Sequence, residues 1–205
     1  MATPASGLLR AKRRRRGTRD ETRERLVAAA AELFDREAFS ATDAGRIARE
    51  AGYAVGTFYK HFADKREILL AAYAHWVDTE WRDVEAELLS GDSPREIAER
   101  IVRLVLRLHV RWRGLRAALA ELVVSDEAAR RFHRAQRRRQ LALMAELRAR
   151  RGARPRAGEE DAILLFSLER VCDAIASGEL RDLSLQREKT LLVLRDQVAR
   201  AIEPA

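Results

Sequence analysis

The sequence predicts an all-α protein, and three observations carry that prediction. Alanine, leucine and arginine, all strong helix formers, supply 98 of the 205 residues. Glycine and proline are scarce, at 10 and 4 residues, whereas an all-β chain needs a turn every ~8–12 residues. Apolar side chains recur at the spacing of helical turns along most of the chain. We therefore expect helices to form both the core and the functional surfaces.

The charge balance favours a polyanionic partner. Lysine and arginine number 40 against 32 acidic residues, which gives a formal net charge of +8 and a pI near 10.4. Because arginine outnumbers lysine 36 to 4, a coding bias is an alternative source of part of this excess. The position of the basic residues along the chain must therefore decide between the two explanations.

Composition also argues against several classes of protein. The lone cysteine, Cys172, excludes an internal disulfide and a cysteine-rich zinc site. No two of the four histidines lie three or four residues apart, and no spacing typical of a nucleophilic triad or a phosphate loop occurs. No apolar run reaches the ~18–20 residues of a membrane span, and no secretory signal follows the basic N-terminus. We expect a cytoplasmic protein that is not an enzyme and has no metal, cofactor or membrane partner.

A basic segment comes first, and a helical chain follows it. Residues 1–18 are poor in large apolar side chains and include Arg13, Arg14, Arg15 and Arg16, so we expect a basic disordered arm. Capping residues then mark where helices start, as in the capping box of Thr18 with Glu21. The predicted helices begin at Thr18, Thr42, Val55, Asp64, Ser93, Leu115, Ser125 or Asp126, Glu159 and about Ser184.

Two of these helices, at 42–52 and 55–62, are joined by a short turn that begins at Gly52. A tight glycine turn between two short helices fits a helix-turn-helix, in which the second helix enters the DNA major groove. Phe58 and Phe62 lie four residues apart and are expected to fix this second helix to the core. The side chains that remain for DNA are then those of Thr57, Tyr59, Lys60 and His61, with small Gly56 allowing close approach to base edges.

Residues 42–65 also carry a family pattern. Its letters are TDAGRIAREAG at 42–52, GTFYKHF at 56–62 and DK at 64–65. Together they resemble the DNA-binding domain of the tetracycline-repressor (TetR) family, over roughly residues 19–80 with the motif at 42–62. The resemblance implies a bacterial, nucleoid-associated transcription factor that acts as a homodimer on a palindromic operator of double-stranded DNA. It also implies a helical domain at 81–205 that binds a small-molecule effector and forms the dimer.

Three residues depart from the family pattern. Ala38 stands where a glycine usually ends the first helix, so a left-handed residue there would cost ~1 kcal/mol or the turn differs. Ala44 replaces a larger apolar residue and leaves the second helix lightly anchored, and Tyr53 replaces the usual valine in the turn. None of the three removes a position that faces DNA.

The resemblance also assigns roles to individual residues of the motif. It implies phosphate contacts from Thr42, Tyr59, His61 and Lys65, and base-edge contacts around Tyr53, Val55, Gly56, Thr57 and Lys60. The arginines of the N-terminal arm either contact a groove or phosphates, by analogy with other basic arms, or merely keep the chain soluble.

The last two predicted helices are candidates for a dimer interface because each has an apolar stripe. We predict that they pair with their symmetry mates in a four-helix bundle, which gives a two-fold dimer. The predicted interface residues are Leu164, Leu168, Val171 and Ile175 on one helix, and Leu191, Leu194, Val198 and Ile202 on the other.

An effector site is expected between the helices of the 81–205 region. Its predicted lining mixes aromatic and polar side chains: His109, Trp112, Phe132, Phe166 and Cys172. The alternative for each of them is an ordinary place in the core. The leading function is thus a repressor released from its operator by a small, mainly apolar effector, and the alternative is a DNA-binding regulator without an effector pocket.

Overall fold

The computed structural model describes residues 18–204, so the predicted contacts of Arg13, Arg14, Arg15 and Arg16 lie outside the described residues. Within 18–204 the fold is all-α, with no strand, which confirms the predicted fold class. The ten α-helices are α1 (Arg19–Arg36), α2 (Ala44–Glu50), α3 (Val55–Tyr59), α4 (Lys65–Leu88), α5 (Pro94–Arg111), α6 (Arg113–Ser125), α7 (Glu127–Arg150), α8 (Gly158–Ser177), α9 (Glu179–Asp182) and α10 (Arg187–Ala201). A single 3₁₀ turn, Phe39–Ala41, precedes α2.

The predicted capping box at the start of α1 is confirmed, and α5, which was predicted to begin at Ser93, also starts with one. The Thr18 hydroxyl accepts a hydrogen bond from the Glu21 amide, and the Ser93 hydroxyl does the same for Glu96. The predicted cap of α2 is wrong by one residue, because the carboxylate of Asp43, not Thr42, accepts the Arg46 amide at 2.9 Å.

Other helix boundaries also differ from the prediction. The helix expected to begin at Leu115 begins at Arg113, and Gly114 lies in its first turn. A Cβ there would come within 2.2 Å of the Asp35 carbonyl oxygen, so glycine is needed for the close approach of α6 to α1. Ala38 has an ordinary φ of −58°. The turn after α1 therefore differs from the family pattern and contains no left-handed residue at this position. The short helix α9 was not predicted.

The protein has two apolar cores, and α4 contributes side chains to both. The first core joins α1, α2, α3 and α6 to the N-terminal half of α4, including Tyr73, Trp76 and Val77. The second core joins α5, α8 and α10 to the C-terminal half of α4, through Val84 and Leu88. Any displacement of the C-terminal half of α4 is therefore transmitted along one continuous helix to the first core.

The dimer prediction for α10 is wrong in its choice of face. Leu191, Leu194, Val198 and Ile202 are all buried in the second core of their own chain and are not free to meet a partner. On α8, Leu164, Leu168, Val171 and Ile175 are partly buried against that same core. An amphipathic stripe on a terminal helix fits an internal core as well as an interface, and the sequence alone does not distinguish the two.

The outward faces of these helices carry a different apolar set. Ile163 and Phe166 on α8, and Leu192 and Val193 on α10, are each more than half exposed. Large apolar side chains in solvent are common singly, but several of them on two neighbouring helices are typical of a surface that binds another molecule. A symmetric pairing of α8 and α10 therefore remains a proposal, with these four residues as its contacts.

Candidate DNA-binding surface and ligand cavity

Helix α3 is too short to be stable alone, and two phenylalanines hold it on the first core. Phe58 and Phe62 are almost completely buried, and their ring centroids lie 5.8 Å apart. The neighbouring ring of Tyr59 contacts Phe58 edge-on at 5.4 Å but is itself 60% exposed. Phe58 and Phe62 thus anchor α3 in the core while Tyr59 lies at the surface, as the helical spacing predicted.

The outward side of α3 presents most of the predicted DNA-contacting residues to solvent. Val55, Gly56, Tyr59 and Lys60 are exposed, and nothing lies within 4 Å of the position that a Gly56 Cβ would occupy. Thr57 and His61 are half-buried beside them. This surface is open enough for the close approach that base-edge contacts require.

The structure does not support a direct DNA contact for three predicted residues. Thr42 is 2% exposed, and its hydroxyl donates to the Ala38 carbonyl. The ammonium of Lys65 donates to the carbonyls of Phe39 and Thr42 at 2.9 and 3.0 Å, so it joins the first turn of α4 to the 3₁₀ turn. The hydroxyl of Tyr53 is buried and makes no hydrogen bond.

Two arginines that the sequence analysis missed lie beside this surface. Burial lowers the pKa of His61, and the neighbouring cations Arg19, Arg23 and Lys60 lower it further. The Arg23 guanidinium also stacks over the Phe62 ring at 5.1 Å. Both arginines are exposed on the first turns of α1, directly after the basic arm. That adjacency in sequence is the signal that could have identified them.

A narrow cavity of about 90 Å³ lies at the second core. Its wall is mostly apolar, and its residues come from α4, α5, α7, α8 and α10: Glu80, Trp81, Val84, Leu88, Ile101, Val105, Gln140, Met144, Arg148, Leu164, Leu165, Leu168, Glu169, Val198, Ala201 and Ile202. An apolar cavity with a few polar groups is the usual form of a small-molecule site.

The structure does not bring the five predicted ligand residues together at this cavity. His109 and Cys172 are buried in the protein, Trp112 and Phe132 are half-buried against the first core, and Phe166 is exposed on α8. None of the five lines the cavity. Aromatic and polar residues were chosen for their chemistry, but the helix faces that meet at a cavity depend on tertiary packing, which periodicity does not give.

His109 is itself buried but belongs to a polar cluster whose carboxylate, Asp173, is 44% exposed. Its Nδ1 lies 2.9 Å from a carboxylate oxygen of Asp173, which also accepts two hydrogen bonds from the Arg116 guanidinium. Burial of the His109 ring lowers its pKa, although the Asp173 carboxylate opposes that shift. The cluster fixes α5 and α6 to α8 and so has a structural explanation without a ligand.

Within residues 18–204, no helix is long and apolar enough to cross a membrane. The same residues contain no group of three or more histidine, cysteine, aspartate or glutamate side chains arranged to hold a metal ion.

The fold and the surface of α3 define a class of helical protein with an N-terminal helix-turn-helix. Residues 26–72 match the family model described as bacterial regulatory proteins, tetR family. Over these residues the N-terminal domain is similar to that of the tetR family.

Known relatives are similar over only part of this chain. The uncharacterised HTH-type transcriptional regulator YerO of Bacillus subtilis (strain 168) is 31% identical over 84 residues, which are 40% of this chain and 29% of YerO. The matched segment spans about a third of the length of the relatives it resembles.

Solved structures extend the likeness of the fold to most of the chain. A transcriptional regulator from Rhodococcus sp. RHA1 has a TM-score of 0.67 at 21% identity, over 88% of this chain and 95% of its own. FadR from Bacillus subtilis, in complex with stearoyl-CoA, has a TM-score of 0.66 at 14% identity, over 88% of this chain and 99% of its own. At these identities the likeness concerns the fold alone.

Proposed function

We propose that this protein is a DNA-binding transcriptional regulator that represses its target as a homodimer on a palindromic operator. The observation that carries the proposal is the division of α3 between a buried side and an open one. Phe58 is fully buried while Val55, Tyr59 and Lys60 stand in solvent. A short helix that is held this firmly, yet leaves polar and aromatic side chains unpaired, is suited to enter a groove.

Charge around α3 supports a DNA partner. Arg19, Arg23 and Lys60 lie near His61. Their positive charge, together with burial of the ring, lowers the pKa of His61. The contacts that we propose to phosphates come from Tyr59, His61 and these two arginines, with help from the arm, whereas Val55, Gly56, Thr57 and Lys60 face the bases. Phosphate contacts position the protein, and base contacts carry the sequence preference.

We further propose that a small, mainly apolar effector binds in the cavity of the second core and lowers operator affinity. FadR of Bacillus subtilis, which shares the fold, was solved with stearoyl-CoA, so a helical domain of this shape can hold an apolar chain. Val84 and Leu88 of α4 line the cavity, and the same helix begins against the helix-turn-helix. An effector that prefers one position of α4 shifts the spacing of the two DNA-binding heads, whereas one with equal affinity for both shifts nothing.

The experiment selects binding sites from random double-stranded DNA with the full chain and measures affinity by fluorescence anisotropy. We expect a palindromic site, and we expect the double variant Tyr59→Ala/Lys60→Ala to keep its melting temperature but lose binding, because both side chains are exposed. Equal affinity for all sequences, or unchanged binding by the double variant, would contradict the proposal.

The alternative is a regulator without an effector, controlled by its abundance. The cavity argues against it, because protein interiors are usually packed without such space. A screen in which no small apolar compound changes operator affinity would favour this alternative.

A further inference from the structure

Glu80 is the unusual residue of the cavity wall. It lies in the middle of α4, is only 7% exposed and borders the cavity. Within residues 18–204 no side-chain hydrogen bond or ion pair involves its carboxyl group, and its oxygens are not among the fully enclosed atoms without a partner, so they keep some contact with solvent or the cavity. A buried carboxyl group without a partner is costly and rare, so it requires an explanation.

The other charged residues of the wall already have partners. The guanidinium of Arg148 pairs with Asp161, and both side chains are buried. The carboxylate of Glu169 pairs with Arg137, which also donates to the Gln140 amide oxygen at 3.1 Å. Glu80 is therefore the ionisable side chain of the wall that is left to interact with a ligand in the cavity.

The surroundings of Glu80 favour an incoming positive charge over a negative one. Burial, together with the nearby carboxylate of Glu169, raises the pKa of Glu80 to about 8, although the positive charges of Arg116 and Arg137 oppose that shift. An anionic ligand would add another negative charge. A cation would compensate Glu80 and remove the cost of its burial.

We propose that the effector cavity takes an amphiphilic monocation, an ammonium group on an apolar body, whose charge pairs with Glu80. The adjacent Trp81 also lines the cavity, and an aromatic ring beside a cation adds to its binding. The apolar body then contacts Leu88, Ile101 and Leu168. This proposal deepens the effector site proposed above, because it specifies the chemical class of the ligand.

The size of the cavity connects binding to motion. About 90 Å³ is well below the ~300–1,000 Å³ of typical ligand pockets, so a ligand with an apolar chain must separate the surrounding helices. Glu80, Trp81, Val84 and Leu88 all lie on α4, which therefore forms one wall of the space that has to widen. The cation would thus act on the same helix that reaches the helix-turn-helix.

The test compares three probes with one apolar chain: decyltrimethylammonium, 1-decanol and decyl sulfate, each below its micelle concentration. Calorimetry measures their binding to the full-length wild type, to Glu80→Gln and to Glu146→Gln. The last variant is the matched control, since Glu146 is exposed on α7 and does not line the cavity. Melting curves establish that each variant is folded.

We expect the wild type and Glu146→Gln to prefer the ammonium over decanol by roughly 10-fold to 100-fold, the range of a charge-assisted contact. Glu80→Gln should lose that preference while it still binds decanol. An unchanged preference in Glu80→Gln, tighter binding of decyl sulfate to the wild type, or failure of all three probes to bind would overturn the proposal.

The pH dependence gives a second readout, because a quaternary ammonium keeps its charge at every pH. The groups that act on Glu80 are Glu169 from α8, Arg116 from α6, Arg137 from α7 and Asp83 on α4 itself. Wild-type affinity for decyltrimethylammonium should rise between pH 6 and pH 9 as Glu80 ionises, and the affinity of Glu80→Gln should stay flat. A flat wild-type profile would count against Glu80 as the partner.

Operator affinity is measured separately by anisotropy. Binding of the ammonium without any change in DNA affinity would support the cation site and contradict effector release in the proposed function.

Discussion

The two halves of α4 lie in different surroundings. In the N-terminal half, Tyr73 packs edge-on against Trp76 at 5.2 Å and against Phe132 at 6.2 Å, and it also borders a polar cavity of about 530 Å³ whose lining includes Arg116 and Arg137. In the C-terminal half, Glu80 and Val84 border a cavity. Aromatic contacts join the N-terminal half to α7, whereas the apolar cavity beside the C-terminal half leaves room for that half to move. The difference teaches that α4 can be moved at one end while the other end carries the helix-turn-helix as a unit.

The side chains proposed to bind DNA and those proposed to bind the effector also differ in their exposure to solvent. The proposed DNA-contacting side chains stand outside the first core, where Tyr59 is 60% exposed, whereas the proposed ligand-contacting side chains face inward from the second. Substitutions at exposed positions should therefore change binding alone, and substitutions at buried positions should change stability first. The predictions below test that division, from the largest expected effect to the smallest.

The largest effect is expected from Leu194→Arg on α10. Leu194 is 2% exposed in the second core, so a guanidinium there would be buried without a partner. That should cost more than ~4 kcal/mol and leave little folded protein. Val193→Arg is the matched control, since Val193 is 59% exposed; it should keep the fold and weaken the proposed dimer. Circular dichroism and sedimentation measure the two effects, and a folded, monomeric Leu194→Arg protein would contradict this assignment of faces.

The next effect concerns the anchor of α3. Phe58→Ala should lower the free energy of unfolding by about 3–5 kcal/mol, because a fully buried aromatic ring is lost. Tyr59→Ala removes an aromatic ring of similar size from the adjacent, exposed position and should cost far less stability while it weakens DNA binding. Chemical denaturation checks both values. Similar destabilisation by the two variants would show that the two sides of α3 are not separate.

The helix-turn-helix could be predicted from sequence because its determinants are local. Phe58 and Phe62 are four residues apart, and Gly52, with φ of +79°, ends α2 in the left-handed conformation that glycine favours. The capping boxes at Thr18 and Ser93 are local for the same reason. Each signal involves residues within about one helical turn, so the chain alone specifies it.

The cavity could not be predicted because its determinants are distant in sequence. Glu80, Arg148 and Glu169 meet only after α4, α7 and α8 have packed. The role of Lys65 was missed in the same way: its partner carbonyls, at Phe39 and Thr42, lie more than 20 residues earlier in the chain. Helical periodicity says that a face is apolar, but it does not say which other face covers it.

A smaller effect is expected from Glu80→Gln on stability. The folded state holds the pKa of Glu80 at about 8, above the ordinary value of 4.5, so it binds more protons than the unfolded state between those values. The contribution of Glu80 to the free energy of unfolding of the wild type is fully present below pH 4.5 and is lost as the pH rises through 8. Glu80→Gln should therefore gain about 1–3 kcal/mol relative to wild type at pH 9 and gain less at pH 5. Urea unfolding at both pH values measures the difference, and a constant difference would refute the assignment.

The smallest effect is expected from Arg23→Gln at the edge of the proposed DNA surface. If Arg23 contacts one phosphate, its loss should reduce the slope of log affinity against log salt by about 0.9 and weaken binding to all sequences alike, because phosphates carry no sequence. Arg200→Gln on α10 removes the same charge from an exposed position far along the chain from the helix-turn-helix and serves as the control. Anisotropy titrations from low to moderate salt compare the three proteins on a selected site and on random DNA. Equal slopes for wild type and Arg23→Gln would remove Arg23 from the surface, whereas an altered base preference would mean that it reads bases instead of positioning the protein.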